Sequence, residues 1–304
     1  MANILLRSPR YEYNIQAGST YAELQLSVDS VLRYTIQKDV DADSGVLFEI
    51  SELARDYLDV AFSGTYTSQV IAITGTITFY DSLDVQVGTA VNISHIGYDG
   101  YGEYVDGSNP TIQAGQLLQT NTTMYMPDDT IGRIASESSG TIAYNSFGFN
   151  VTSATVGGQV VTIKRICEPK FTPILITFIN KYGAFQDIWF FKKSTENIIT
   201  RKESYKRAVV SSTGTYNVST HSVRTLNVQG MQSMTVNTGF LDEGMNEPFK
   251  ELLLSEQVWA VINNVERPID ITTSQLNYKT SLNDKLVDFT ISFNFANDTI
   301  NVLR

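Results

Sequence analysis

The sequence predicts a mainly β protein, built as two β-sandwich or jelly-roll-like domains with one or two short helices. Three observations carry this. Apolar and polar residues alternate with period two through most of the chain, as they do in half-buried strands. Ser, Thr and Asn number 27, 32 and 20, which supplies pleated surfaces with Thr and turns with Ser and Asn. Finally, the stretch from Cys167 to Pro173 places two prolines, Pro169 and Pro173, between two strand-rich halves, and such a stretch halts regular structure. The expected domains are therefore an acidic amino-terminal one over 1–168 and a β-rich carboxyl-terminal one over 169–304.

The elements follow in order. Ala22 to Val28 alternates apolar and polar residues for seven positions, and Val31–Ile36 and Val46–Ile50 continue the pattern between turn-forming residues. A short helix is expected next, with Ser51 as its cap and Leu53, Tyr57 and Leu58 on one face. Val70 to Tyr80 is β-branched nearly throughout. Val85–Val87 and Val91–Ile93 read as two further short strands. Residues 97–107 then hold four glycines and three tyrosines, a loop rather than a ladder. Strands are expected near 116–125, 141–151 and 159–167, with Gly157-Gly158 as a hairpin turn. Beyond the prolines, Ile174–Ile179 and Ile188–Phe191 flank a loop containing Asn180-Lys181-Tyr182-Gly183 and read as a buried hairpin. Further strands are expected near 221–230, 233–239, 265–271 and 276–280. The one clear helix spans about 247–256, with Pro248 near its start and Phe249, Leu252 and Leu253 as its buried stripe. Last, five apolar residues at odd positions from Val287 to Phe295 mark one buried face.

The chemistry that can be read is mostly exclusion. A single cysteine, Cys167, allows no intramolecular disulfide and no Cys-based zinc site; it reads as a small buried hydrophobe. His95 and His221 lack metal-type spacing and read as structural. Trp189 and Trp259 sit in apolar contexts and read as core. Asp39, Asp41 and Asp43 resemble a calcium loop, but an EF-hand needs Gly at the sixth position and Glu at the twelfth, and Ser44 and Ile50 stand there. There is no nucleophile elbow, phosphate-cradling loop or dinucleotide fingerprint. No catalytic residue, cofactor or metal is expected, and the chain reads as a non-enzyme. The amino terminus lacks the apolar core of a signal peptide, and no run of 18 apolar residues exists, so neither export nor a membrane span is expected.

Net charge is −10, with −12 over residues 1–163 and +2 over residues 164–304. A broad basic face for nucleic acid is not expected. Two segments stand out as candidate partner-binding sites. The first is the Gly/Tyr loop, with Tyr98, Asp99, Tyr101 and Tyr104, whose rings could lie against a sugar or a protein surface or simply pack as core. The second is the basic stretch with Lys192, Lys193, Arg201, Lys202, Lys206 and Arg207, which reads as a solvated loop, as a contact to the acidic half of a neighbouring copy, or as a local nucleic-acid contact.

One resemblance adds to this reading. The run Ile176-Thr177-Phe178-Ile179-Asn180-Lys181-Tyr182-Gly183-Ala184-Phe185-Gln186-Asp187-Ile188-Trp189-Phe190-Phe191 resembles a segment of virion proteins of tailed bacteriophages, including those of the crAss-like kind. Thr238–Glu243, Leu252–Trp259 and Tyr278–Phe289 are similar to the same proteins. The resemblance covers residues 170–304; the amino-terminal half matches only in style. It implies a virion structural protein assembled in the host cytoplasm: a subunit of an oligomeric ring in the tail or neck, of connector, tail-hub or baseplate type. Its partners would be copies of itself and neighbouring virion proteins, with DNA only passing through a lumen. A receptor- or carbohydrate-binding module of a tail or fibre is the alternative, and the motifs transfer no active site.

Overall fold

The computed structural model describes residues 1–41, 43, 45–168, 170–275 and 286–299. It is mainly β, with 55% strand, 7% helix and two short α-helices. The strand expected at Leu276–Thr280 lies outside the described residues.

The amino-terminal part is a six-stranded sheet in the order β4-β3-β6-β7-β1-β8, formed by β1 (Ala2–Leu5), β3 (Tyr21–Val28), β4 (Val31–Asp39), β6 (Val70–Tyr80), β7 (Gln86–Tyr98) and β8 (Thr111–Ile112). Alternation in β3 buries Ala22, Leu24, Leu26 and Val28 on one face. That face is covered by a two-stranded sheet of β2 (Tyr11–Ile15) and β5 (Gly45–Glu49), through Val46 and Phe48, and by helix α1 (Ser51–Arg55), through Ala54. Two sequence expectations are corrected here. Ser51 is the first helical residue, not the cap; the Glu49 carboxylate instead accepts from the amides of Ser51 and Glu52. The two short strands expected at 85–87 and 91–93 are one strand, because Gly88, at φ +72°, lets β7 shift register against β6 without ending.

Residues 117–163 build a second core. A three-stranded sheet, β12-β13-β9, comprises β9 (Thr123–Pro127), β12 (Ser153–Val156) and β13 (Gln159–Ile166). It packs with the hairpin of β10 (Gly132–Ser138) and β11 (Thr141–Phe147) around Met126, Ile134, Val161 and Ile163. The strand expected near 116–125 is confined to β9. Gly157 and Gly158 form the two-residue turn, both with positive φ.

The carboxyl-terminal part is a seven-stranded sheet in the order β15-β14-β18-β19-β20-β17-β16. Its strands are β14 (Ile174–Ile179), β15 (Phe185–Phe190), β16 (Thr195–Lys206), β17 (Val223–Asp242), β18 (Val258–Ile262), β19 (Val265–Ile271) and β20 (Leu286–Phe295). All five odd-numbered residues from Val287 to Phe295 are buried. Helix α2 (Asn246–Leu254) lies on that face. Its Phe249 stacks on Phe289 at 3.9 Å between ring centroids and meets Phe190 edge-on at 5.9 Å. The opposite face is covered by residues 58–66, where Phe62 packs on Phe185 and Trp259.

Buried polar groups join these cores. Asn180, fully buried, donates to the Leu118 carbonyl and to Gln186 Oε1, while its own Oδ1 accepts from the amides of Tyr182 and Ala184. The Asp187 carboxylate accepts from Tyr66 Oη at 2.6 Å and Thr177 Oγ1 at 2.8 Å. Glu251 reaches inward from α2 and accepts from Thr120 Oγ1 at 2.6 Å. Burial raises the pKa of both carboxyls above the ordinary range.

Two outcomes follow. Phe249→Ala removes the ring between Phe289 and Phe190 and is expected to cost about 3–5 kcal/mol, read by denaturant unfolding. Asp187 binds its proton more tightly folded than unfolded, so its contribution to stability is greatest at acid pH. It falls as pH rises from the ordinary value of 3.8 through the raised one. Asp187→Asn keeps a group that can pair with Tyr66 and Thr177 and should flatten that part of the stability profile in thermal scans from acid to neutral pH.

Candidate interaction surface

The Gly/Tyr loop proves largely internal. Tyr98 is the last residue of β7 and has no exposed surface, and Asp99 is buried beside it. The expectation that both face a partner from an exposed loop is therefore corrected. The reason is a close backbone approach. A Cβ on Gly100 would lie 2.3 Å from the Lys181 carbonyl oxygen. Gly183, at φ +78°, brings its backbone onto that of Asp99. The Tyr101 amide donates to the Lys181 carbonyl at 2.8 Å. The glycines thus seat the loop on the Asn180–Gly183 turn rather than freeing it.

Around this seat the side chains are engaged within the chain. Asp99 pairs with Arg55 at 3.6 Å, and its carboxyl pKa is raised by burial, although Arg7 and Arg55 oppose the rise. Arg7 and Arg55 both bond Glu256. Tyr101 is half-buried under Arg7, and burial pushes its phenol up to about 12. Only Tyr104, within a single 3₁₀ turn, stands fully in solvent. Glu103 beside it is held by Lys250 at 2.8 Å.

The basic stretch is not a loop. Thr195–Lys206 is β16, paired along its length with β17. The strands expected at 221–230 and 233–239 are one 20-residue strand. Its inner half pairs with β20 as far as Ser233; beyond that residue β16 continues along one edge, and on the other the Thr299 amide donates to the Gly230 carbonyl at 2.8 Å. Residues 198–228 therefore form a two-stranded arm, with β16 exposed at every position. At about 3.3 Å per residue, the segment from Ile198 to Lys206 alone reaches ~30 Å from the sheet.

Exposure on both faces leaves apolar side chains in water. Ile198, Ile199, Leu226 and Val228 are exposed along the ladder, as are Val210, Tyr216 and Val218 toward the tip. Five cations, Arg201, Lys202, Lys206, Arg207 and Arg224, accompany one carboxylate, Glu203. The arm is thus net +4 while the rest of the chain is −14. Among the described residues none of these five cations makes a salt bridge, and neither does Lys193; Lys192 pairs with Glu168 at 2.7 Å on the body. Sequence reading missed the arm because cations and Thr obscure the alternation. The signal was the β-branched residues Thr195, Ile198, Ile199 and Thr200 in the first half of β16.

The remaining sequence candidates are placed as follows. His95 is buried and bonds Glu12 at 2.9 Å; His221 is exposed. Trp259 is buried and Trp189 half-buried against the second core. Cys167 is exposed, contrary to expectation, since it follows the last core residue of β13 where the chain leaves that sheet. Asp41 accepts from the amides of Asp43 and Gly45, which accounts for the Asp-rich turn. Among the described residues no helix is long and apolar enough to cross a membrane, and no three His, Cys, Asp or Glu side chains are grouped as for a metal ion. No family model matches this chain, and neither a curated protein nor a solved structure is matched by it.

The loop seat gives a contrast to measure. Gly183→Ala forces a side chain into a left-handed position against the Asp99 backbone and should destabilise the chain by about 1–3 kcal/mol. Tyr104→Ala, in open solvent, should leave thermal stability unchanged.

Proposed function

We propose that this chain is a non-enzymatic structural subunit that assembles with copies of itself, as a ring component in the tail or neck of a tailed phage. One observation carries the assembly part: the β16–β17 arm, which is exposed on both faces and presents aliphatic side chains and unpaired cations to water. A two-stranded ribbon is at best marginally stable alone, and exposed strand edges and apolar patches are where subunits join. The arm grows from the far edge of the sheet that holds the phage-like segment 176–191, so the resemblance and the arm belong to one unit. The buried ionisable groups support a structural role. Asp187, Glu251, Asp99 and His95 each bond a partner on another segment of the chain, Tyr66, Thr120, Arg55 and Glu12 respectively. Localisation in a virion, neighbouring virion proteins and DNA passing through a lumen rest on the resemblance.

The test shortens the arm. Thr200 faces Gly230 across the ladder, so replacing residues 201–229 by Asn-Gly leaves a two-residue hairpin turn. The full chain should form closed oligomers by mass photometry and negative-stain microscopy. The shortened chain should stay monomeric, below the 33.8 kDa of the full-length monomer, with its thermal midpoint within a few degrees of the parent. Equal assembly by both chains would refute the arm as the joining element.

A further inference from the structure

The β2–β5 sheet presents an inverted surface. Residues opposite each other in an antiparallel pair share a face, and the register sets Tyr11 against Glu49, Tyr13 against Leu47 and Ile15 against Gly45. This is the outer face. Tyr11, Tyr13 and Ile15 are 52%, 51% and 59% exposed, and Leu47 is 46% exposed. The polar residues of β2, Glu12 and Asn14, point the other way, and Glu12 meets buried His95 at 2.9 Å. A half-buried strand ordinarily does the reverse, with apolar residues inward and polar residues in water. Here an aromatic-aliphatic face is kept outside.

Carboxylates bracket that face. Asp41 accepts from the Gly45 amide at 2.7 Å, which places it and Asp43 at the Ile15 end. Glu49 lies in the Tyr11 row, and Glu52, whose amide donates to Glu49, lies beyond it. One ammonium stands near: Lys38, bonded to the Leu47 carbonyl at 3.0 Å. Arg7, Arg10 and Arg55 also stand at the Tyr11 end, each paired within the chain: Arg7 with Glu256, Arg10 with Glu12, and Arg55 with Asp99 and Glu256. With these groups counted, seven acids against four bases leave the surroundings of the face at −3.

The arm has the complementary features. It is net +4, aliphatic on both faces, and ~30 Å long, which exceeds the span of a five-residue strand at about 3.3 Å per residue. It does not cover its own chain's β2–β5 face, because arm and face are both exposed in the same molecule. We infer that the arm of one copy docks on the outer face of the β2–β5 sheet of the next copy. Ile198 and Val228, which share one face of the ladder with Lys202, would meet Tyr11, Tyr13, Ile15 and Leu47, and the arm's cations would meet Asp43 and Glu52. The contact is heterologous: each copy offers one arm and one face, so repetition gives a ring if the rotation closes. Apolar contact supplies the affinity, and the charges orient the encounter and exclude a reversed pairing. This assignment rests on the arm being the joining element, as proposed above.

The experiment uses two chains, each lacking one half of the contact. The shortened-arm chain keeps only the face. The Tyr13→Ser/Leu47→Ser chain keeps only the arm, and because both residues are exposed its thermal midpoint should match the parent. By mass photometry each alone should self-associate at least about tenfold more weakly than the parent, the loss expected for central anchors. Mixed together, they should form a capped 1:1 pair. A charge-reversed pair, Asp43→Lys/Glu52→Lys on the face and Lys202→Glu/Arg207→Glu on the arm, should each weaken assembly and restore it when combined in one chain. If the shortened-arm chain is monomeric but the Tyr13→Ser/Leu47→Ser chain assembles like the parent, the face is wrong while the arm stands. If the shortened-arm chain assembles normally, or the parent does not self-associate, both readings fall.

Discussion

A two-stranded ribbon has no interior. Every side chain on it faces water on one side or the other, so its apolar residues gain nothing from the fold of their own chain. This constraint organises the molecule. Strand β17 runs for 20 residues. Its inner half is a core strand, with Met234, Val236 and Leu241 buried; its outer half is an arm. Gly239, at φ +74°, and the accompanying register shift against β20 bend the inner half around the sheet. The outer half carries on past the last β20 partner. Fully burying one Ile, Leu or Val side chain is worth about 1.5–3 kcal/mol, so even partial cover of the arm supplies the scale of a specific contact.

The body that carries the arm is cross-linked by polar groups rather than by a single continuous core. Asn180 saturates its amide between the Leu118 carbonyl, Gln186 and its own turn, and that turn receives the backbone of residues 99–101. Asp187 ties the 58–66 segment to the seven-stranded sheet through Tyr66. Arg7 and Arg55 hold Glu256 across from the end of α2. A buried polar group that loses its partner costs about 1–3 kcal/mol, so these joints resist sliding of one sheet on another. The β2–β5 face and the arm root are thereby set on one framework, which is what an interface repeated from copy to copy requires.

Much of the fold was legible in the sequence because periodicity reports burial directly. The alternation at 22–28 and 287–295 named the buried faces residue by residue, and Pro248 with Phe249 marked α2. What was misread has common causes. A strand that bends through a glycine, as at Gly88, looks like two short strands because the alternation changes phase; β17 reads as two, parted at 230–233, because it passes there from exposed ladder to buried core. Gly100 and Gly183 read as loop freedom, whereas they permit close backbone contact, and only the partner segment reveals that. Cys167 looked buried by residue type, yet position at the end of β13 decided its exposure. The arm escaped because burial sets the expected pattern of a strand, and a strand that buries nothing in its own subunit has no such pattern. Its cations were the legible part; that they stand on a ladder was not.

The most direct measurement is hydrogen exchange of the full chain followed across a dilution series spanning the monomeric and assembled states. Amides in residues 198–206 and 223–229 should exchange quickly when the chain is dilute, like those of an uncovered ribbon, and slow markedly on assembly. The amides of β14 and β20 should stay protected throughout. Arm amides that exchange equally fast in the assembled and dilute chain would contradict the account.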